Sequence, residues 1–442
     1  LGGDILIDTD KFYIYDGMVE AGNYFSTEGF EFDKVQKYKS GSIVVNADTL
    51  LEGDRALVRI ISNTTGGAGD LTVNTGTLTG SGSASTAFFD AGIGFDLIAY
   101  RGGTGQLKIN AEKIDGTQIS VGNAAMSDRS VKIDKANLEK YGDVDVVAKD
   151  ISVEHLHFTI GTEKSNSTST LGDLSVQAEN DIVLGDLRVY RMQDIKNRTR
   201  EARGIGGDIT FKAKNILTAL KPADITQKSK YDILPTIQGS GLVKFEAEEK
   251  LELGFMRFET INVKPTRNMT HVFKAKNIEM GMALGDDFNG NSSVDYSFLD
   301  QAASVEHRII ISAEEDVRLV SGVNLDVPSL SLEAGNLYVN NSKITLEGNV
   351  ESRINVRGGM ELLGGGCVES LSRYISPNFS KYKNPVDIEI SSNQLTLAPG
   401  SFIRTVNHED DNSGLKAISN LNIRAGDVLL DDAVIETRTS NP

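Results

Sequence analysis

Gly206-Gly207-Asp208-Ile209-Thr210-Phe211-Lys212-Ala213-Lys214-Asn215-Ile216-Leu217 decides the fold of this chain. At period two, Ile209, Phe211 and Ala213 point one way, and Thr210, Lys212 and Lys214 point the other. That alternation describes a half-buried strand opened by a Gly-Gly-Asp turn. A small residue closes the strand, and a further aliphatic, Ile216, follows three residues later.

The same sentence recurs down the chain. Ile5-Ile7-Thr9, Ile43-Val45-Ala47, Leu71-Val73-Thr75, Leu107-Ile109-Ala111, Val144-Val146-Ala148 and Leu174-Val176-Ala178 precede the stretch. Val243-Phe245-Ala247, His271-Phe273-Ala275, Ile309-Ile311-Ala313, Leu330-Leu332-Ala334, Ile354-Val356-Gly358, Ile388-Ile390-Ser392 and Leu421-Ile423-Ala425 follow it. The fifth position is small in all fourteen copies. From Ile5 to Leu421, thirteen steps cover 416 residues, a mean of 32, although single steps range from 21 to 38. A fixed core sentence with variable spacers marks a repeat architecture. One unit cannot bury its own aliphatics, whereas stacked units bury them as a column. A second apolar pair, such as Ile151-x-Val153, Ile182-x-Leu184 or Leu251-x-Leu253, follows the small residue and implies a second strand past a tight corner. The expected fold is all-β, a parallel β-helix (solenoid) of about 14 coils with lateral loop excursions. A rise of about 4.8 Å per coil predicts a rod on the order of 65 Å long. The pattern runs end to end, so residues 1–442 are expected to form a single solenoid, a segment of a longer or processed chain.

Composition narrows the partners. The 62 Asp and Glu against 45 Lys and Arg leave a net charge of −17. Nucleic acid and anionic membranes call for a basic face, so neither is expected. No apolar run reaches the roughly 18 residues of a membrane span, so no membrane insertion is expected. Cys367 is the single cysteine, which rules out an intrachain disulfide and leaves the redox compartment open.

Function on a solenoid usually sits on excursions. Residues 188–203 carry Arg188, Arg191, Lys196, Arg198, Arg200 and Arg203 against Asp194 and Glu201, net +4 in an acidic chain. With Tyr190, this segment is a candidate contact for anionic glycan or an acidic neighbour. Residues 374–383, with Tyr374, Phe379 and Tyr382, have the aromatic and charged content of a sugar-binding or interface loop. The bland alternative for both is a solvated loop.

Motifs that carry chemistry are few. Asp286-Asp287 resembles the paired aspartates of the polygalacturonase family, but that family's other motifs are missing and the pair reads as an acidic turn. Asp287-x-Asn289-x-Asn291 resembles the start of a calcium loop without its Gly at the sixth place and Glu at the twelfth. His155 and His157 share a strand face and could hold a metal, but neither Cys nor another His lies near in sequence, and a surface pair is the expectation. His271 takes an inward register position and reads as a core histidine. Asn-x-Ser/Thr sequons at Asn63, Asn166, Asn197, Asn268, Asn291, Asn340 and Asn378 are compatible with surface glycosylation. No catalytic residue, metal ligand or cofactor is assigned.

The recurring Gly-Gly-Asp-Ile pattern at Gly206-Gly207-Asp208-Ile209 and Gly2-Gly3-Asp4-Ile5, with Gly172-Asp173-Leu174, resembles the filamentous-haemagglutinin-type (two-partner-secreted) exoproteins of Gram-negative bacteria. The resemblance implies a right-handed parallel β-helix, exported through an outer-membrane partner and displayed at the cell surface. It implies roles in adhesion, aggregation, biofilm matrix or toxin delivery. The family's N-terminal secretion-domain signature is not found here. The expected function is an extracellular structural or adhesive fibre segment, not an enzyme. Its expected partners are other β-helix segments end to end, like subunits, and host or matrix glycans. The alternative is a polysaccharide lyase or hydrolase on the same fold.

Overall fold

The computed structural model describes residues 3–23, 39–62, 64, 66–82, 92–99, 102–125, 141–162, 172–192, 207–218, 236–239, 241–254, 257–260, 269–281, 294–297, 307–320, 322–327, 329–346, 352–371, 387–410, 415–417 and 420–440. Every element in them is a strand, so no helix is long and apolar enough to cross a membrane. All described pairings are parallel except one, the antiparallel contact of Phe402–Asp410 with Leu415–Ala417. The fold is a parallel β-helix. Contacts divide the chain into two units, residues 1–214 with 235–242 and 261–267, and residues 215–234 with 243–260 and 268–442.

In the first unit the sequence anchors form a single ladder. Ile5 lies beside Ile43, then Leu71, Leu107, Val144, Leu174 and Ile209 in turn. Behind the corner a second ladder joins Phe12, Leu51, Leu78, Ile114, Ile151 and Ile182. The inward side chains on both ladders are buried from the second coil onward, with Ile43, Val45, Leu71 and Val73 fully enclosed. Each of these coils also carries a third strand that the periodicity did not separate. It comprises Met18–Asn23, Ala56–Ser62, Ile93–Ala99, the later parts of Leu107–Ala125, Asp150–Thr162 and Asp181–Met192, and Thr236–Gly239.

The Gly-Gly-Asp turn has a steric cause. A Cβ on Gly41 would overlap the Gly3 carbonyl of the coil before it. The same holds for Gly69 over Gly41, Gly105 over Gly69, Gly142 over Gly105, Gly172 over Gly142 and Gly207 over Gly172. The turns stack so closely that only hydrogen fits between them. Where an aspartate follows the glycine, it ties that turn to the next. Asp4 Oδ1 accepts the Ser42 N–H at 2.8 Å, Asp70 accepts Gln106 N–H at 2.9 Å, Asp143 accepts Asp173 N–H at 3.0 Å and Asp173 accepts Asp208 N–H at 2.8 Å. Outward asparagines repeat the motif at the strand centre. Asn110 donates to Asn74, and Asn74 to Asn46, each at 2.9 Å.

In the second unit, His271, Ile309 and Leu330 are in register, as are Ile278, Val317, Leu337, Met360, Leu395 and Val428. His271 is buried, as its register position predicts. Phe245 stacks on Phe273 with centroids 5.9 Å apart. One copy of the sentence is offset by two residues from the reading above. Ser352, Ile354 and Val356 align with Leu330, Leu332 and Ala334, so Val356 rather than Gly358 takes the small-residue place. Ser352 is buried there because its Oγ accepts the Leu330 N–H at 3.0 Å. A further sheet, from Val294–Ser297 through Val323–Val327, Lys343–Leu346, Cys367–Leu371 and Phe402–Asp410 to Val434–Ser440, supplies this unit's third face.

Gly142→Ala is expected to destabilise the chain by about 1–3 kcal/mol, the cost of overpacking a filled site. Gly3→Ala, where an added Cβ meets nothing within 4 Å, is expected to be near neutral. Urea unfolding of the two variants checks the contrast.

Candidate functional site

The most concentrated chemistry in the first unit lies on the third strand of two adjacent coils. His155 and His157 project outward from Asp150–Thr162, because Leu156 and Phe158 between and beyond them face the core. Asp186 and Arg188 project the same way from Asp181–Met192, alternating with buried Leu187 and Val189. Parallel register sets His155 opposite Asp186 and His157 opposite Arg188. The result is a two-by-two block of titratable side chains.

Asp186 is its centre. Its side chain is only 1% exposed, against 28% for His155, 11% for His157 and 15% for Arg188. Arg188 Nε donates to Asp186 Oδ2 at 2.7 Å. His155 Nδ1 and His157 Nε2 lie 3.5 and 3.4 Å from the same oxygen, at the limit of a hydrogen bond. Asp186 Oδ1 is buried and has no hydrogen-bond partner among the described residues. Burial pushes the Asp186 carboxyl up, but hydrogen bonds from His155 and His157 and the charge of Arg188 outweigh it and hold the group below the usual carboxylate range. Burial lowers the pKa of His157, against the opposing pull of Asp186, and favours the neutral ring. The three groups His155, His157 and Asp186 can each bring one ligand atom to within 4.8 Å of the others, a set able to hold a cation.

The histidine pair is therefore not the plain surface pair expected from sequence. Its third member lies 31 residues beyond His155, and the coil step at that level, Ile151 to Ile182, is also 31. Matching side chains one coil step apart would have found Asp186. Of the candidate contact residues, Arg188 is engaged with Asp186, and Tyr190 and Arg191 lie on the strand Asp181–Met192. Arg198, Arg200, Arg203, Tyr374, Phe379 and Tyr382 lie outside the described residues, as do Asp286 and Asp287. Of the sequons, only Asn340 lies within the described residues, where it is exposed.

No family model matches the chain, and neither a curated protein nor a solved structure is significantly similar to it.

Two ionic clusters lie among the described residues of the second unit. Glu369, buried to 1% side-chain exposure, is held by Lys343 on one side. Arg404 grips it from the next strand through Nε at 2.8 Å and a terminal guanidinium nitrogen at 2.6 Å. The Arg404 guanidinium also lies 4.3 Å over the Phe402 ring. Cys367, on the same strand, is buried, and burial followed by the Glu369 carboxylate pushes its thiol up to about 11, which keeps it unreactive. A shallow groove elsewhere brings together Glu249, Glu279 and Asp316 with Lys250 and Arg318. Arg318 pairs with Asp316 at 2.8 Å and Lys250 with Glu252 at 2.6 Å. Burial pushes Asp316 up, but hydrogen bonds from Asn336 and Arg318 outweigh it and its pKa is lowered.

Two outcomes are expected here. Arg404→Ala leaves the buried Glu369 with one cation and is expected to cost about 3 kcal/mol, towards the lower end for a broken buried pair, in urea unfolding. In the first unit, burial raises half-buried Asp96 to about 6, against the lowering effect of Arg59, which itself pairs with Glu20. A raised folded-state pKa means the full contribution to stability is present below the unfolded value and is lost as pH rises through about 6. Asp96→Asn is therefore expected to stabilise the chain at pH 8, by on the order of 1–3 kcal/mol, with the gain shrinking toward pH 4. Thermal midpoints across that range check the sign.

Proposed function

We propose that this chain is a structural and adhesive segment displayed outside the cell. Its stacked coils serve as a stiff scaffold, and its lateral excursions make the contacts. The observation that carries this reading is the use of outward side chains for cohesion between coils. The Asn46–Asn74–Asn110 ladder and the Asp4, Asp70, Asp143 and Asp173 clamps spend polar groups on the neighbouring coil. A scaffold that must resist lateral and axial load gains from such cross-linking.

The terminal coils fit the same role. In the first, Ile5, Ile7 and Phe12 are only half-buried where their partners Ile43, Val45 and Leu51 are fully enclosed, and in the last Val428 and Leu430 are exposed where their partners Leu395 and Leu397 are buried. Uncovered apolar strand edges pair readily with another strand. Such faces suit further β-helix, either flanking chain or a like subunit. Glycans at the host or matrix surface are the proposed lateral partners. The family resemblance noted above adds outer-membrane export and a place in adhesion, aggregation or biofilm matrix.

A carbohydrate-active enzyme is the second reading, and the Glu249, Glu279 and Asp316 groove favours it. A glycoside hydrolase needs one carboxyl of the pair kept protonated as the acid. Asp316 is held the other way, by Arg318 and Asn336, which favours an ion-pair lattice over an acid–base pair.

Display of the chain on a non-adherent bacterium is expected to promote aggregation or glycan binding, and purified material is expected to leave glycosidic bonds intact. Release of reducing ends or unsaturated sugars from a polysaccharide, lost in Glu279→Gln, would replace the scaffold with the enzyme.

A further inference from the structure

We propose that His155 Nδ1, His157 Nε2 and an oxygen of Asp186 form a binding site for one divalent transition cation, zinc in the first instance, with water in the fourth position. The inference is independent of the adhesive reading.

Three observations converge on it. The donor set is two imidazoles and a carboxylate, which suits zinc. The spacing to Asp186 also fits, and the two ring nitrogens lie within 4.8 Å of one another. Zinc bonds of about 2.0–2.1 Å place two ligands of a tetrahedron about 3.4 Å apart. The two ring nitrogens lie 3.5 and 3.4 Å from Asp186 Oδ2, long for hydrogen bonds and right for ligands that share an ion. Finally, Asp186 Oδ1 is buried without a hydrogen-bond donor among the described residues, which leaves a carboxylate oxygen unsatisfied by the protein.

Arg188 does not contradict the site. Ligating carboxylates are commonly held by an outer hydrogen bond, and the Nε contact at 2.7 Å supplies one. Access is from the His155 side, the most exposed of the three. The ligands come from strands Asp150–Thr162 and Asp181–Met192 of adjacent coils, so the ion would clamp one coil to the next. It would do at this level what the Asn46–Asn74–Asn110 ladder does on another face.

The test is a titration of the metal-free chain with zinc against a chromophoric chelator, with thermal melting in parallel. The expected result is one tightly bound zinc per chain and a raised melting midpoint. Because Asp186→Asn risks unfolding through the stranded Arg188, the diagnostic variant is His155→Gln, whose parent side chain is partly exposed. It is expected to keep the circular dichroism spectrum and metal-free melting midpoint of the parent while losing about tenfold or more in zinc affinity. Failure of the parent chain to take up one equivalent overturns the site. Equal affinity in His155→Gln also overturns it, by showing that the metal binds elsewhere.

Discussion

Parallel coils can sit one strand spacing apart only where nothing projects between them. The glycine column enforces that condition in the first unit. From Gly41 to Gly207, each turn lies so close to the carbonyl of the turn before that a methyl group would overlap it. Hydrogen bonding then locks what sterics permit, because the aspartate after the glycine accepts an N–H from the next coil at 2.8 to 3.0 Å in four successive or near-successive turns. The inward aliphatics supply the hydrophobic drive, but drive alone would tolerate slippage. A slip of one residue would turn the whole apolar set outward. The turn fixes the phase, and the core follows from it.

The same phase creates the ionic clusters. When strands stack in register, each outward residue meets the residue at the same place in the next coil. Identical neutral partners make ladders, as with the three asparagines. Unlike partners make pairs, as with Glu20 and Arg59, or Glu369 and Arg404. The His155, His157, Asp186 and Arg188 block is the densest case. It is also where the arrangement departs most from simple cohesion, since its distances to Asp186 Oδ2 are unequal and one carboxylate oxygen is left over.

Much of the fold is legible in the sequence because its signal is repeated. Thirteen of the fourteen five-residue sentences keep the residues read from sequence, all on described strands, because inward burial at period two leaves a plain trace. The Ser352 copy was misplaced because a buried serine looks polar in sequence, and only its bond to the Leu330 amide explains its inward place. The third strand was missed for a different reason. In Leu107–Ala125 the chain passes from the second face to the third at Gly116 without a break in the strand, so no turn signal separates them. Gly116 has a φ of +117°, which marks the corner in space but not in pattern. The candidate site was half legible. The histidines stand together in sequence, whereas Asp186 joins them only through the coil step.

One consequence follows from the glycine turn. Coil steps in the first unit vary from 28 to 38 residues, yet the ladder resumes in phase at each turn. The turn resets the register regardless of how much chain precedes it. Segments between turns are thus free to lengthen, shorten or be exchanged over evolutionary time without disturbing the coils on either side. New surface specificities can be written into the excursions while the architecture that carries them stays the same.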